Sequence, residues 1–312
     1  MSSDVAGRVV APRDARDLTG TGLDEAWVTE LVERTLAEDL TGGAPLPHAP
    51  DQAVAFDVTS AATVPATQRG TADLVARADG VVAGLPIAAR VFTRLSPSAT
   101  VTAHVADGDV VRRGDVLLTV SGHVRALLAA ERSALNIASR ASGIATATRA
   151  WVDAVAGTGA VVLDTRKTTP GLRALEKYAV RCGGGANKRM GLYDVAMVKD
   201  NHVAAAGSVA AAVAAVRERA PRVPVQVEAD TVAQAVEAVE AGADFLLLDN
   251  MSPAVLREAV AAVAGRAETE ATGGLTLAVA REVAETGVDH LSVGALTHSS
   301  PILDLALDLR TD

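Results

Sequence analysis

The second half of the chain alternates short strand-like runs with alanine-rich segments in which apolar residues recur at helical spacing. This alternation predicts a parallel sheet with right-handed crossovers, because each helix returns the chain to the start of the next strand. The predicted strands are 160–164, 195–199, 223–227, 244–248, 267–271 and 290–293, the fifth of them with largely polar residues. The predicted helices are about 171–181, 206–219, 231–241, 252–264 and 276–286.

The first half follows a different pattern, with β-like runs bounded by turn dipeptides such as Asp79-Gly80 and Asp107-Gly108. These runs predict strands at 70–78, 80–83, 100–105 and 116–120. Helices are predicted at 25–40, 87–95 and about 121–156, a loop at 41–50, and a mobile tail over residues 1–22. We therefore expect an N-terminal α+β domain with an antiparallel sheet.

Polar or glycine residues follow every predicted strand of the second half. They are Asp164-Thr165-Arg166-Lys167, Lys199-Asp200-Asn201, Glu228 with Asp230, Asp249-Asn250, Thr272-Gly273-Gly274, and Gly294. Functional residues gathered at the carboxyl ends of all strands are typical of a β/α barrel enzyme, whereas an open sheet binds its ligand at one switch point. The pattern favours the barrel.

Composition narrows the possible partners and location. The net charge is −9, which argues against nucleic acid as the main partner because phosphate backbones require a basic surface. The single cysteine, Cys182, cannot form an internal disulfide, so we expect a reducing, cytoplasmic location. No apolar run approaches the ~20 residues that span a bilayer, so no membrane association is expected.

Lysine is confined to one stretch of the chain, which we call the cationic stretch, residues 164–202. All four lysines lie there, and elsewhere the chain uses arginine: Lys167, Lys177, Lys188 and Lys199. Confined ammonium groups indicate a site that binds strongly anionic small molecules. Arg166, Lys167 and Lys199 follow strands and are predicted to bind anions. Arg173, Lys177 and Arg181 have helical spacing, which favours a solvated helix face.

Glycines and acids complete the candidate site. Thr272-Gly273-Gly274 precedes a predicted helix, and with Gly294 it is typical of a phosphate site at a barrel's last two strands. Glu228 and Asp249 end adjacent strands, where they would hold ribose hydroxyls, coordinate Mg²⁺, stabilise a developing cation, or simply pair with Lys199 or Arg166. Among the histidines, only His202 and His298 flank the predicted mouth.

The cationic stretch, DTRKTTPGLRALEKYAVRCGGGANKRMGLYDVAMVKDNH, resembles the quinolinate phosphoribosyltransferase family. The resemblance runs from about Glu38 to Leu309 and includes four further motifs: DVTS (57–60), ERSALNIASRASGIATAT (131–148), FLLLDN (245–250) and SVGALTHSSPILD (292–304). The long motif is specific to this family.

The resemblance implies an N-terminal α/β sandwich, residues 23–134 with a C-terminal return at 303–312, followed by an open β/α barrel of six or seven parallel strands at 135–302. It also implies a homodimer. The implied reaction is phosphoribosyl transfer from phosphoribosyl pyrophosphate to quinolinate with Mg²⁺, which yields nicotinate mononucleotide, pyrophosphate and CO₂.

The resemblance also implies residue roles. Arg132 is expected to reach the partner's site, and Lys167, Lys199, Glu228 and Asp249 to be catalytic. Substrate contacts are expected from these five and from Thr165, Arg166, Lys188, Arg189, Thr272, Gly273, Gly274, Gly294 and His298. Glu228 and Asp249 are the candidate metal ligands.

The chain departs from the family pattern at three places. Lys188 replaces a histidine that contacts the pyridine acid, Gln226 stands where an acid is common, and 41–55 resembles an insertion. Lys188 leaves open a paralogue that acts on another pyridine or aromatic carboxylate. A non-catalytic anion-binding paralogue is the third hypothesis, which the retention of Arg132, Glu228 and Asp249 disfavours.

Overall fold

The computed structural model describes residues 15–311, which belong to two compact units. Unit 1 comprises Met1–Thr146 and Pro301–Asp312, and unit 2 comprises Ala147–Ser300. The sequence placed the domain boundary at residue 134, whereas the contacts place it after Thr146, inside one continuous helix. The predicted tail falls partly outside the described residues. Within 15–22 the chain instead forms turns, with Ala15 and Thr21 buried.

Unit 1 is built on an antiparallel sheet in the order β12-β1-β5-β3. Its elements are α1 (Glu25–Thr41), α2 (Pro50–Val54), α3 (Val58–Thr63), β1 (Arg69–Ala76), β2 (Gly80–Val81), α4 (Leu85–Leu95), β3 (Thr100–Ala103), β4 (Val110–Val111), β5 (Val116–His123), α5 (Val124–Ala154) and β12 (Leu305–Thr311). Alternate residues of β1 are buried, and Leu74 pairs with Leu307 of the returning strand β12. In the DVTS motif, Asp57 caps α3 by accepting the N–H groups of Thr59 and Ser60.

Unit 2 alternates parallel strands with helices, as the apolar pattern predicts. Its elements are β6 (Val161–Leu163), α6 (Arg173–Cys182), β7 (Ala196–Val198), α7 (Asp200–Ala206), α8 (Val209–Arg219), β8 (Val225–Ala229), α9 (Val232–Glu240), β9 (Phe245–Asp249), α10 (Pro253–Val263), β10 (Glu268–Thr272), α11 (Leu277–Ala284), β11 (His290–Ser292) and α12 (Ala295–His298). The helix predicted at 206–219 is α8, which Ser208 caps. The sequence did not predict α7, which precedes it and ends at Gly207 with a φ of 93°.

The strand order distinguishes a barrel from a doubly wound sheet. The order is β6-β11-β10-β9-β8-β7, so β7 to β11 are neighbours in chain order without reversal, and the first strand, β6, pairs with the last, β11. The arrangement is therefore a barrel that is open between β6 and β7. The predicted α/β fold class is confirmed, and the barrel has six described strands. The cationic stretch lies across the opening, where Ala186 forms an isolated bridge with Leu163.

The polar fifth strand of unit 2 is confirmed as β10, and its central residues are buried. Within residues 15–311, no helix is both long and apolar enough to cross a membrane.

Candidate active site

The predicted strand-end residues of unit 2 share one edge of the parallel sheet. Lys199 follows β7, Glu228 lies in β8 and Asp249 ends β9. Parallel strands place their carboxyl ends together, so these side chains meet at the mouth of the barrel. The structure brings together most of the residues predicted for the site. Arg132 lies in unit 1, exposed on α5, and its reach into a partner's site stays a prediction.

Lys199 and Glu228 form an ion pair at the mouth. The Lys199 side chain is 46% exposed and that of Glu228 is 15% exposed. The Lys199 ammonium is therefore accessible at the mouth, while the carboxylate that holds it is largely buried. His202 Nδ1 accepts the backbone N–H of Lys199 at 3.0 Å, which fixes the start of α7. His202 therefore supports Lys199.

Several carboxylates gather beside this pair. Burial raises the pKa of Asp230, and the neighbouring Asp200, Asp249 and Glu228 raise it further. The Asn250 amide donates to Asp249 at 3.0 Å. Among residues 15–311 no group of three or more His, Cys, Asp or Glu side chains is arranged to hold a metal ion.

Lys167 lies with Gly294 and His298 between the ends of β6 and β11. Thr297 Oγ1 donates to the Lys167 carbonyl at 2.8 Å, and the Lys167 N–H is donated to Thr165 Oγ1 at 3.0 Å. A Cβ at Gly294 would lie 3.1 Å from Lys167 Cδ and 3.2 Å from His298 Nε2. The glycine therefore lets both side chains approach the backbone, as a phosphate cradle requires.

The second glycine loop packs against Asp249. Gly273 has a φ of 89°, and an ideal Cβ there would lie 2.3 Å from Asn250 Oδ1 and 2.8 Å from Asp249 Oδ1. Gly274 also has positive φ, at 58°, but a Cβ there meets nothing within 4 Å. The loop leads into α11, which begins at Leu277. Backbone N–H groups before a helix are suited to a phosphate.

Gly273→Ala is expected to destabilise the protein more than Gly274→Ala. Both add left-handed strain of about 1–2 kcal/mol, but only the first drives a methyl group into Asn250 and Asp249, which adds about 1–3 kcal/mol. Denaturant unfolding of the two variants measures the difference. Equal losses would show that the loop does not pack on Asp249.

Two arginines of the cationic stretch lie side by side. Arg166 Nε is buried and has no hydrogen-bond partner among the described residues. Burial lowers the pKa of Arg189, and the charge of Arg166 lowers it further. Arg189 is held by donation to the Val195 carbonyl at 2.9 Å. Two adjacent guanidinium groups repel each other, so an anion bound between them would relieve the repulsion.

Lys177 is not on a solvated helix face, and that interpretation is wrong for it. Its side chain is 1% exposed and forms an ion pair with Asp164, which is 0% exposed. Asp164 also accepts from Asn187 Nδ2 at 2.7 Å and from the Lys188 N–H at 2.9 Å. Burial raises the pKa of Asp164 and lowers that of Lys177, while their attraction opposes both shifts.

The other two helix residues also have structural contacts. Arg173 donates to the Met190 carbonyl at 2.9 Å and to Thr168 Oγ1 at 3.0 Å, so it braces the cationic stretch. Arg181 is exposed, with its guanidinium 5.7 Å from the centre of the Tyr178 ring. Only Arg181 fits the predicted solvated face.

Lys188 meets two residues that the sequence did not assign to the site. Its ammonium pairs with Glu270 of β10, and Gln226 of β8 donates to the other Glu270 oxygen at 2.7 Å. Both partners are buried. Burial lowers the pKa of Lys188, and Glu270 opposes this shift. In the sequence, Glu270 is visible only as a polar residue within a predicted strand, and Gln226 as a departure from the family pattern.

The chain is similar to proteins of one family along most of its length. The family model described as the N-terminal domain of quinolinate phosphoribosyl transferase matches residues 57–142, and the C-terminal domain model matches 144–308. The nicotinate-nucleotide pyrophosphorylase [carboxylating] of Mycobacterium leprae is 47% identical over 285 residues, with 90% of this chain and 96% of that protein covered. A quinolinate phosphoribosyltransferase [decarboxylating] of Nicotiana glauca is 39% identical, with 97% and 92% covered. The crystal structure of NadC from Streptococcus pyogenes has a TM-score of 0.86 at 38% identity and covers 93% of this chain and 99% of its own.

Proposed function

The chain belongs to the quinolinate phosphoribosyltransferase family, and from this we propose that it transfers the phosphoribosyl group of phosphoribosyl pyrophosphate to quinolinate and releases CO₂. The products are nicotinate mononucleotide, pyrophosphate and CO₂. The observation that carries the proposal is the Arg166 Nε beside Arg189, a buried donor that has no hydrogen-bond partner within the described part of the chain. It lies at the same barrel mouth as two glycine loops suited to phosphate.

The acid-binding side of the site consists of Arg166, Arg189 and Lys188. Quinolinate carries two adjacent carboxylates, and a guanidinium group binds a carboxylate through two parallel hydrogen bonds. Arg166 Nε, to which no described residue is hydrogen-bonded, is the donor for such a carboxylate. Burial strengthens each contact because water does not compete for the donors.

The phosphoribosyl side consists of the glycine loops and the ion pair. The loop at Gly273 and Gly274, with Gly294, offers backbone groups for the 5′-phosphate, and Lys167 lies beside Gly294 for a further anionic group. Lys199 presents its ammonium for the pyrophosphate or a carboxylate. Glu228 and Asp249, at adjacent strand ends, are the residues that would contact the ribose.

These placements suit two bond changes. The pyridine nitrogen attacks the anomeric carbon while the bond to pyrophosphate breaks, and the positive charge that develops on the ribose is stabilised by Glu228 and Asp249. The bond between C2 of the ring and its carboxylate then breaks. Its electron pair stays on C2 beside the positively charged nitrogen until C2 takes a proton. Nearby cations stabilise this carbanion-like centre.

We propose that Mg²⁺ accompanies phosphoribosyl pyrophosphate. The ion is commonly held by one or two carboxylates together with substrate phosphates. Glu228 and Asp249 supply two carboxylates at adjacent strand ends, and this donor set fits such an ion. When bound, it neutralises charge on the leaving pyrophosphate.

A homodimer and a cytoplasmic location complete the proposal. Arg132 is exposed on α5, which supports its use by a partner subunit. The single cysteine rules out an internal disulfide and agrees with a reducing compartment.

Incubation with quinolinate, phosphoribosyl pyrophosphate and Mg²⁺ is expected to form nicotinate mononucleotide, which chromatography detects. A panel of pyridine and benzene carboxylates in place of quinolinate tests the alternative substrate class. Quinolinate should give the highest kcat/KM. A higher value for another acid, or no product from quinolinate, would contradict the proposal.

A further inference from the structure

The two departures of the chain within the barrel, at positions 188 and 226, meet at one carboxylate. Lys188 pairs with one oxygen of Glu270, and Gln226 donates to the other at 2.7 Å. Gln226 and Glu270 lie on β8 and β10, two strands apart, so their contact crosses the concave interior over β9. Both Glu270 oxygens are therefore engaged, and the carboxylate has a fixed orientation.

Lys188 is held at its backbone as well as at its ammonium. Its N–H is donated to Asp164 at 2.9 Å, and its carbonyl accepts from Lys177 Nζ at 2.9 Å. The Lys188 side chain is 12% exposed and that of Glu270 is 4% exposed. An ammonium has three N–H groups, so the pairing with Glu270 leaves donors for a ligand.

We propose that Glu270 is a positioning residue for the pyridine acid: it holds the Lys188 ammonium at the acid-binding side of the mouth, and Gln226 fixes Glu270 in turn. The inference rests on the proposed function. The contact with Glu270 fixes the Lys188 ammonium as a hydrogen-bond donor and compensates its positive charge.

Lys188 is surrounded by one acid and two further cations. Facing it are Glu270 from β10, Arg189 from its own segment and Lys199 from the end of β7, while Asp164 and Lys177 contact its backbone. Glu270 is the one acid that pairs with its ammonium among the described residues. Without Glu270, burial and the two cations would act unopposed and Lys188 would lose its proton at lower pH.

The experiment is the pH profile of kcat/KM for quinolinate in Glu270→Gln. The alkaline limb is expected to move to lower pH by about 1–3 units. Above the shifted limb, KM for quinolinate should rise about tenfold or more, whereas KM for phosphoribosyl pyrophosphate should not change. Glu268→Gln is the matched control, because Glu268 is the first residue of β10 and contacts His290 instead of Lys188. It should leave the profile in place.

A double variant shows whether Glu270 acts through Lys188. Lys188→Met should remove the limb, and Lys188→Met/Glu270→Gln should match Lys188→Met in KM for quinolinate. The double variant removes both charges of the pair, so no buried charge is left without a partner. It can therefore be measured even if Glu270→Gln does not fold. An unshifted limb in Glu270→Gln, or additive effects in the double variant, would overturn the inference. Wild-type protein that fails to convert quinolinate would instead overturn the proposed function.

Discussion

Arg166→Ala is expected to lower kcat/KM for quinolinate by about 30-fold to a few thousandfold. Truncating one partner of a buried, hydrogen-bonded charge pair costs about 2–5 kcal/mol, and each 1.4 kcal/mol is about tenfold. Arg166 Nε is buried and has no hydrogen-bond partner in residues 15–311, so its interaction energy is available to the ligand. Steady-state kinetics with quinolinate varied at saturating phosphoribosyl pyrophosphate measures the loss.

Two companion variants show whether the loss is local. Arg166→Lys retains the charge without the paired donors, so its kcat/KM should fall between those of the wild type and Arg166→Ala. Arg181→Ala removes an exposed arginine from the same stretch and should leave kcat/KM unchanged. A similar loss in Arg181→Ala would mean that general positive charge, rather than Arg166, attracts the acid.

Asp164→Asn is expected to cause the largest loss of stability, about 3–5 kcal/mol in the free energy of unfolding. The substitution retains the shape of the side chain but leaves the Lys177 ammonium buried without its counter-charge. The Asn187 and Lys188 donors also lose a charged acceptor, which loosens the segment that carries Lys188 and Arg189. Denaturant unfolding measures the change.

Asp164→Asn/Lys177→Met is the informative companion, because it removes the stranded charge. It should be more stable than Asp164→Asn alone. Glu285→Ala, which breaks an exposed ion pair with Arg281, should cost under about 1 kcal/mol. If Asp164→Asn is as stable as the wild type, the buried ion pair does not contribute the expected free energy of unfolding.

Periodicity and strand ends predict most of this structure. The alternation of apolar runs gives the six strands of unit 2, and the polar residues that follow them predict the mouth, because parallel strands end at one edge. The sequence also marks the break between α7 and α8, because Gly207 is a residue that ends helices and Ser208 is one that caps the start of the next. The boundary within α5 had none, because one continuous helix crosses it.

The sequence pattern does not predict which side chains from distant parts of the chain contact each other. Lys177 has the spacing of a surface residue, and only its contact with Asp164 shows why it is buried. In the sequence, Glu270 is only a polar residue in a strand with few apolar residues. Its contacts with Lys188 and Gln226 are visible only in the structure. Such contacts depend on how strands and loops meet in three dimensions, which periodicity does not report.

The most direct test of the proposed reaction is the ratio of CO₂ to pyrophosphate released during turnover with quinolinate and phosphoribosyl pyrophosphate. Phosphoribosyl transfer with decarboxylation predicts equal amounts of the two products, formed together with nicotinate mononucleotide. Pyrophosphate without CO₂ would identify a transferase that does not decarboxylate its acid, and the release of neither product would contradict the assignment of this site to quinolinate.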